Sequence, residues 1–344
     1  MRLTNHDVIV EHINVLVKTG ALPGAVFGVA TATDVLAVKA LGYRQLQPEQ
    51  LPMTTETLFD WASLTKVVAT TAITMRLLER GYFRLDDLVD RFVPGDFGGL
   101  RLRHLLTHTS GFPGWIDLTA YPKSAERIEA IANASRLYEP GHQVLYSDLN
   151  YILLGYILEH VSEETLDQLF MAEVANPLGM SKTRYLPTEL TNVAATEWDA
   201  VSGHYWCGVV HDENARAAGG VSGHAGLFGT VADLLRFGQA ILNPGAWLSP
   251  PTMAAWLLPR TLGISGELRA YGFQKPHPLS SAGDLMSAES VGHTGFTGTS
   301  LWVDPREGVV MALLTNRVHL GRESNAPIRL RPIFHNLVLA GLRP

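Results

Sequence analysis

A serine and a lysine that could act as nucleophile and base lie three residues apart in the segment Phe59-Asp-Trp-Ala-Ser-Leu-Thr-Lys66. At a helix start, this spacing places the Ser63 hydroxyl and the Lys66 amine on one face, about one turn apart. The free backbone N–H groups there favour negative charge that develops on an attacked carbonyl. Lys66 could take the hydroxyl proton if burial beside apolar residues lowers its pKa and leaves it partly neutral. Alternatively, Ser63 only caps the helix and Lys66 is solvated.

Two further motifs supply groups that this pair would need. Tyr146-Ser-Asp148 precedes an apolar helical segment, and His293-Thr-Gly-Phe296 opens a late stretch of predicted sheet. A tyrosine accepts a proton near neutral pH only beside cationic groups, which Lys66 and His293 could provide. The alternative for Tyr146 is a core aromatic residue with a satisfied hydroxyl. Together, the three motifs predict attack on a carbonyl by an activated serine.

The elements that position these motifs follow from apolar periodicity. The stretch Asp7–Lys18 has helical spacing, and the apolar runs 24–30 and 35–41 predict a hairpin. Helical periodicity then dominates the middle of the chain, at 65–80, 125–134, 150–161, 166–174 and 231–242. Late elements are strands at 299–304 and 309–315 and a closing helix at 328–342.

Sheet at both ends and helices between them predict a division into two domains. We expect an α/β (α+β) fold in which residues 1–62 and 287–344 form an antiparallel sheet flanked by helices. Residues 63–286 would form an inserted, mainly helical domain. The active site is then expected in the cleft between the two, because pockets concentrate at domain boundaries.

The three motifs, in this order and on this plan, resemble those of the serine β-lactamase and penicillin-binding-protein superfamily, specifically its class C-like branch with the β-lactamase-related carboxylesterases. The resemblance covers nearly the whole chain, because three more segments look like recurring segments of that branch: Leu105–Gly111, Glu139–Gly141 and Gly223–Gly229. It implies a β-lactamase/transpeptidase-like fold. By resemblance, Ser63 is the nucleophile, Lys66 its base or proton relay, and Tyr146 a second general acid and base.

The resemblance also implies where a substrate would bind. The backbone N–H of Phe296, with that of Ser63, is the candidate oxyanion hole, and Thr294 and Gly295 are adjoining binding candidates. The alternative for Phe296 is a strand residue that faces the core. Trp115, in a loop rich in glycine and proline, either lines the acyl side of the pocket or packs over the helical domain.

Two positions depart from the pattern of class C β-lactamases, which usually carry Tyr-x-Asn and Lys-Thr-Gly. The matching positions here are Asp148 and His293. An ionised Asp148 presents no amide to a β-lactam side chain and would instead orient Lys66 by its charge. His293 replaces a permanent cation with a side chain that titrates near neutrality, so recognition of a substrate carboxylate should be weaker and pH-dependent. Both departures favour esters or neutral amides over penicillins.

Composition and charge limit the other possibilities. The 344 residues are 46% apolar and 17% charged, and the net charge of -6 leaves no basic field for nucleic acid. The single cysteine, Cys207, excludes an internal disulfide. No uncharged apolar run reaches the roughly 20 residues that span a bilayer, and charged residues interrupt the N-terminal segment. We therefore expect no signal peptide, no membrane association and a cytoplasmic location.

Several loop residues raise the question of a metal site: His204, His211, His224, Asp212 and Glu213. Their spacing matches no compact pattern of metal ligands, so we expect no metal and no cofactor. The glycine-rich run 219–226 lacks the Lys-Ser/Thr ending of a phosphate-binding loop. A tight turn that borders the active site is the simpler interpretation.

The leading hypothesis is a serine hydrolase of carboxylesterase type that acts on a small-molecule ester, amide or β-lactam. A class C-type β-lactamase or D-amino-acid peptidase would use the same residues, but that chemistry takes place outside the cytoplasm. A third alternative is a non-catalytic scaffold, which we would expect to have lost Ser63, Lys66 or Tyr146; all three are present. The physiological substrate, the acyl-chain length and the oligomeric state are left open.

Overall fold

The elements of the computed structural model, which describes residues 1–344, follow the predicted order of sheet, helices and sheet. The α-helices are α1 (His6–Lys18), α2 (Ala72–Glu79), α3 (Leu102–Leu106), α4 (Ser124–Ala132), α5 (Asp148–Ser162), α6 (Leu166–Phe170), α7 (Glu213–Ala217), α8 (Val231–Leu242), α9 (Pro250–Leu257) and α10 (Ala326–Gly341). The strands are β1 (Arg2–Leu3), β2 (Gly24–Ala30), β3 (Val35–Gln45), β4 (Leu51–Pro52), β5 (Phe59–Asp60), β6 (Arg184–Tyr185), β7 (Trp198–Asp199), β8 (His204–Tyr205), β9 (Leu227–Gly229), β10 (Val291–Thr294), β11 (Ser300–Asp304), β12 (Val309–Thr315) and β13 (Leu342–Arg343). Two π-helical segments, Lys66–Thr71 and Met171–Ala175, and two 3-10 turns, Val89–Arg91 and Arg317–Leu320, complete the set.

Strands from both ends of the chain form one six-stranded antiparallel sheet in the order β10-β11-β12-β2-β3-β4. Strands β12 and β2 are neighbours in the sheet, with Leu313 opposite Phe27 in the register. Every residue of these two strands is buried. The predicted fold class, an antiparallel sheet flanked by helices and built from both termini, is therefore confirmed.

Side chains alternate along β12 and enter two different cores. One set faces α1 and α10, and the other faces α8. The first set is Val309, Met311 and Leu313, and the second is Val310, Ala312 and Leu314. A Cβ on Gly238 of α8 would lie 2.3 Å from a Val310 methyl carbon, so the missing side chain lets this helix approach the sheet.

Most predicted elements are present close to their predicted ends, but two details differ. The helix predicted at 65–80 begins as a π-helical turn, in which the Thr71 hydroxyl donates to the Lys66 carbonyl at 2.8 Å. Apolar periodicity does not separate one short π turn from an α turn. The expectation of a strand that begins at His293 was wrong. Strand β10 begins at Val291 and ends at Thr294, because the backbone turns after Thr294 and Phe296 lies in that turn.

The middle of the chain is mainly helical. Helices α3 and α5 pack together, and α2 and α5 both contact the π-helical segment Lys66–Thr71. Helix α8 packs on the central sheet. The division of the chain into residues 1–62 with 287–344 and residues 63–286 stays a prediction. None of the helices combines the length and the apolar character that crossing a membrane requires.

Candidate active site

Distant segments hold the backbone before Ser63 in place. Strand β5 pairs with β9, so Ser63 follows a strand that is fixed by the small sheet β5-β9-β6. The buried Asp60 carboxylate accepts the backbone N–H groups of Ala62 at 2.8 Å and His211 at 2.7 Å. Ala62 has a φ of 47°, a left-handed conformation that is costly for a residue with a side chain. This turn presents Ser63 at the wall of a cavity.

Lys66 is fully buried beside Ser63, at the start of its π-helical segment. Its Nζ atom donates to the Ser63 hydroxyl oxygen at 2.9 Å and to the backbone carbonyl of His224 at 3.0 Å. A third contact of 2.8 Å joins it to the Asp148 carboxylate. Three acceptors match the three protons of an ammonium group. Ser63, Lys66 and Asp148 are therefore brought into direct contact.

The expected lowering of the Lys66 pKa was wrong. Burial alone would lower the pKa of this ammonium group, but the Asp148 carboxylate and the Tyr146 hydroxyl beside it raise the pKa above its ordinary value. The resting side chain is an ammonium ion in an ion pair, without a lone pair for the Ser63 proton. The apolar neighbours of Lys66 in the sequence indicate burial, whereas the contact that decides the direction of the pKa shift comes from Asp148 on α5.

Tyr146 lies beside Lys66 and Ser63, and both side chains act on the pKa of its hydroxyl. The Lys66 ammonium is 5.1 Å from the centre of its ring, and the Arg269 guanidinium is 5.3 Å from it. Burial raises the pKa of the Tyr146 hydroxyl above its ordinary value, and the Lys66 charge opposes that rise. The hydroxyl is therefore protonated at neutral pH, with two cations placed to stabilise its ionised form.

The prediction that His293 is a cation titrating near neutrality was wrong. Burial, together with the positive charges of Arg269 and Lys66, holds the pKa of His293 well below its ordinary value. Its Nδ1 atom lies 2.8 Å from the Thr294 carbonyl, so the proton sits on Nδ1. Nε2 is left as a buried acceptor without a partner in the protein. The second cation beside Tyr146 is Arg269, which no sequence motif had marked.

The turn after β10 is bonded directly to the segment that precedes Ser63. The Thr297 hydroxyl donates to the Asp60 carbonyl at 2.7 Å, and the Thr299 hydroxyl donates to the Trp61 carbonyl at 3.0 Å. A Cβ on Gly295 would lie 2.5 Å from the Trp61 carbonyl oxygen. Only glycine allows the two backbones to approach so closely.

The backbone N–H groups of Ser63 and Phe296 donate to no acceptor within the protein. Both residues line the same cavity. Two free N–H groups on joined segments are what an oxyanion hole requires. The Phe296 side chain does not face the core: about half of it is exposed, its ring stacks on His211, and the Arg317 guanidinium lies 4.8 Å from the ring centre.

A cavity of about 1020 Å³ opens beside these groups, a volume comparable with sites that hold drug-sized molecules. The predicted site residues that line it are Ser63, Trp115, Tyr146, Asp148, His293, Thr294, Gly295 and Phe296. Lys66 lies behind Ser63 and does not line the cavity. Trp115 is about half exposed and belongs to the cavity wall, not to the core of the helical region.

Three buried arginines that carried no signal in the sequence also line the cavity: Arg269, Arg317 and Arg331. Arg269 pairs with Glu267, whereas no carboxylate pairs with Arg317 or Arg331. Arg331 donates to two carbonyls of the Gly295–Thr299 turn at 3.0 and 3.1 Å, and burial lowers its pKa to about 10. Arg269 precedes β10, whereas Arg317 and Arg331 both follow β12. Unpaired guanidinium groups in a cavity favour a ligand with an anionic group.

The histidines considered as metal ligands each contact a different partner: His204, His211 and His224. Another set does converge, since ligand atoms of Asp148, Asp212 and His224 lie within 4.8 Å of one another. The Lys66 ammonium lies 2.8 Å from Asp148 and already supplies a positive charge there. His224 and Asp212 are bonded to each other at 2.7 Å. Hydrogen bonds and the lysine charge therefore account for this cluster.

Comparison with known proteins identifies the family of the chain. The sequence model of the family described as Beta-lactamase matches residues 9–332. A relative from Escherichia coli O157:H7, named "Putative D-alanyl-D-alanine carboxypeptidase", is 31% identical over 317 residues, which cover 80% of this chain and 72% of the relative.

Solved structures show the same fold. The octameric penicillin-binding protein homologue from Pyrococcus abyssi has a TM-score of 0.78 at 22% identity, covering 97% of this chain and 77% of the homologue. EstCE1, described as a hydrolase with promiscuous acyltransferase activity, has a TM-score of 0.76 at 24% identity, covering 96% and 98%. With a family match over most of the chain, the protein belongs to the β-lactamase family and is a hydrolase of the β-lactamase fold.

Proposed function

We propose that this protein is a serine hydrolase that cleaves carboxylic esters or amides through an acyl-enzyme on Ser63. In acylation, the Ser63 oxygen attacks the substrate carbonyl, and the backbone N–H groups of Ser63 and Phe296 bind the resulting oxyanion. The bond to the leaving alcohol or amine breaks, and the leaving group takes a proton. In deacylation, water attacks the ester on Ser63, the acid departs and the serine hydroxyl regains its proton.

Tyr146 is the group that takes and returns the serine proton in this proposal. Lys66 is an ammonium ion in the resting site, so it contributes positive charge and a hydrogen bond. A minor fraction of Tyr146 phenolate would be stabilised by the charges of Lys66 and Arg269. After it has taken the Ser63 proton, the neutral Tyr146 hydroxyl can pass that proton to the leaving group.

The observation that carries the proposal is the 2.9 Å contact between Lys66 Nζ and Ser63 Oγ at the cavity wall, beside two free backbone N–H groups. A serine that only capped a helix would accept a backbone N–H of the following turn. No backbone N–H donates to the Ser63 hydroxyl. The hydroxyl is therefore available for attack on a bound carbonyl.

Hydrolysis of p-nitrophenyl acetate, butyrate and octanoate, measured beside nitrocefin, tests the proposal in the wild type and in Ser63→Ala. We expect ester turnover that disappears in Ser63→Ala while the circular dichroism spectrum is unchanged. A fluorophosphonate probe should label Ser63, as detected by peptide mass spectrometry. Ester turnover that persists in Ser63→Ala would contradict the proposal. The absence of both turnover and labelling would favour a non-catalytic scaffold. Nitrocefin turnover faster than ester turnover would favour a β-lactamase.

A second candidate function, removal of the C-terminal residue of a peptide, is favoured by Arg317 and Arg331. A terminal carboxylate is an anion that guanidinium groups bind well, often through two hydrogen bonds. These arginines supply the positive charge that His293 lacks. The name of the E. coli relative, a D-alanyl-D-alanine carboxypeptidase, describes such a substrate. This candidate uses the same Ser63 chemistry and differs in the leaving group.

The two candidates are separated by a peptide that ends in D-alanyl-D-alanine, compared with its C-terminal amide and with p-nitrophenyl butyrate. A carboxypeptidase should cleave the free acid faster than the amide. Arg317→Gln should then weaken cleavage of the free acid only, while Arg317→Lys keeps the charge and serves as the matched control. Equal rates for the free acid and the amide would contradict a subsite for the terminal carboxylate.

A further inference from the structure

His108, within the segment Leu105–Gly111, lies against Tyr146 and takes no part in the chemistry described so far. The side chain is fully buried, and its ring centre lies 4.5 Å from that of Tyr146, with 34° between the ring planes. A second ring, that of Tyr151, lies 5.1 Å away. His108 does not line the cavity. It therefore reaches the reaction only through the residues that it contacts.

Hydrogen bonds from His108 hold the residues on both sides of Tyr146. The backbone N–H of Leu145 donates to the His108 carbonyl at 2.8 Å. The backbone N–H of Ser147 donates to His108 Nδ1 at 3.1 Å, and Asn150 Nδ2 lies 3.1 Å from the same nitrogen. Tyr146 is thus fixed through both of its chain neighbours and through its ring.

This arrangement requires the neutral form of histidine. Nδ1 accepts from Ser147, so the proton lies on Nε2. Burial, followed by the positive charges of Arg269 and Lys66, holds the pKa of His108 well below its ordinary value, so Nδ1 keeps its lone pair. His108 also has a φ of 55°, a left-handed conformation in which His, Asn and Asp are enriched. Neither phenylalanine nor asparagine combines a flat ring, an acceptor at the edge of the ring and tolerance of this backbone conformation.

We propose that His108 is the positioning residue for Tyr146: it holds the tyrosine hydroxyl at the Ser63 oxygen without touching the substrate. This inference rests on the proposed function, because His108 acts through the proton transfer assigned to Tyr146. A displacement of about 1 Å at a reacting group can lower a rate by about 100-fold. The role is therefore large enough to measure.

A double-mutant cycle tests the positioning role of His108, with kcat and KM for p-nitrophenyl butyrate as the readout. His108→Phe keeps a ring and loses the acceptor, whereas His108→Asn keeps an acceptor and suits the left-handed backbone but loses the ring. We expect each to lower kcat by about 10- to 100-fold, with KM changed by less than about 3-fold. In a Tyr146→Phe background, the same substitutions should change the residual rate by less than about 2-fold, because the group being positioned is gone.

His335→Asn is the matched control, because His335 is a second fully buried histidine that lies outside the cavity. It should lower the melting temperature without lowering kcat. If His108→Phe does not fold, His108→Asn decides the question. Losses from His108 and Tyr146 substitutions that simply add would overturn the positioning role, since a structural residue would act with or without the tyrosine hydroxyl. Turnover that persists in Ser63→Ala would instead overturn the proposed function, and this inference with it.

Discussion

Asp148 and Lys66 form an ion pair of 2.8 Å directly beside the Ser63 hydroxyl. Against the effect of burial, the carboxylate raises the pKa of Lys66. The Asp148 carboxylate also raises the pKa of the Tyr146 hydroxyl, in the same direction as burial. The two groups that could accept the serine proton are therefore both protonated in the resting site. The proposed mechanism requires that one of them has lost a proton.

We expect kcat/KM for p-nitrophenyl butyrate to increase with pH between about 6 and 9. Because the pKa values of Lys66 and Tyr146 are both raised, each pH unit in this range should increase the basic fraction about tenfold. Initial rates at constant ionic strength, corrected for spontaneous hydrolysis, check this. A plateau that begins below pH 7 would show that another group accepts the proton.

Asp148→Asn should move this increase to lower pH by about one unit or more. Without the carboxylate, burial dominates and lowers the pKa of Lys66, and the Tyr146 phenolate loses a neighbouring negative charge. The unpaired ammonium should also cost about 3 kcal/mol in the free energy of unfolding. Asp117→Asn removes an exposed carboxylate of the cavity wall that bonds to Thr119, and as the control it should leave the pH profile unchanged. An unchanged pH profile in Asp148→Asn would remove Lys66 and Tyr146 as the titrating groups.

Gly295→Ala should lower kcat by about 100-fold or more, the cost of losing one oxyanion donor. The new Cβ would lie 2.1 Å from Thr299 Oγ1 and 2.5 Å from the Trp61 carbonyl, so the turn that carries the Phe296 N–H must move. Gly20→Ala is the control: its φ of 72° is strained for alanine, but no atom lies within 4 Å of its Cβ. It should lose stability and keep its activity. A Gly295→Ala enzyme with the wild-type rate would argue against the oxyanion assignment.

The His335→Leu variant should be less sensitive to acid than the wild type. Burial, followed by the charge of Arg331, lowers the pKa of His335 to about 3. Below pH 6.5 the unfolded chain binds a proton that the folded chain does not, so stability is fully present above that pH and is lost as pH falls toward 3. At pH 5 the loss is about 2 kcal/mol. Urea unfolding at pH 7.5 and pH 5 should therefore show a loss smaller by about that amount in His335→Leu, and an equal loss would contradict this account.

The sequence could predict a contact in the site when the two residues are close in the chain, and not when they are far apart in it. Ser63 and Lys66 lie within one turn, so their spacing alone was enough to predict that the hydroxyl and the amine meet. The sign of the Lys66 pKa shift depends on Asp148, which is remote in sequence and arrives through the packing of α5. Local composition around Lys66 could indicate burial but not the compensating charge.

The arginines of the cavity show the same limit. Arg269 and Arg331 are separated by three strands of the sheet and belong to no motif, and a lone arginine in a sequence is usually a solvated side chain. Only the fold brings them to one cavity. His108 was visible within Leu105–Gly111, but its left-handed backbone and its contact with Tyr146 have no signature in the residue types. In contrast, β2 and β12 are short, continuous apolar runs bounded by turn residues, and these runs were enough to predict strands at both ends of the chain.

The sheet that unites the two ends of the chain also governs when activity can first appear. Ser63 and Phe296 lie roughly 230 residues apart, so closing this site carries a loop-closure cost, which the pairing of β12 with β2 helps to offset. A nascent chain on the ribosome would expose β2, a wholly apolar strand, with one open edge until almost the entire protein has been made. Catalytic competence therefore marks the end of folding: after dilution from denaturant, ester hydrolysis should return later than helical circular dichroism.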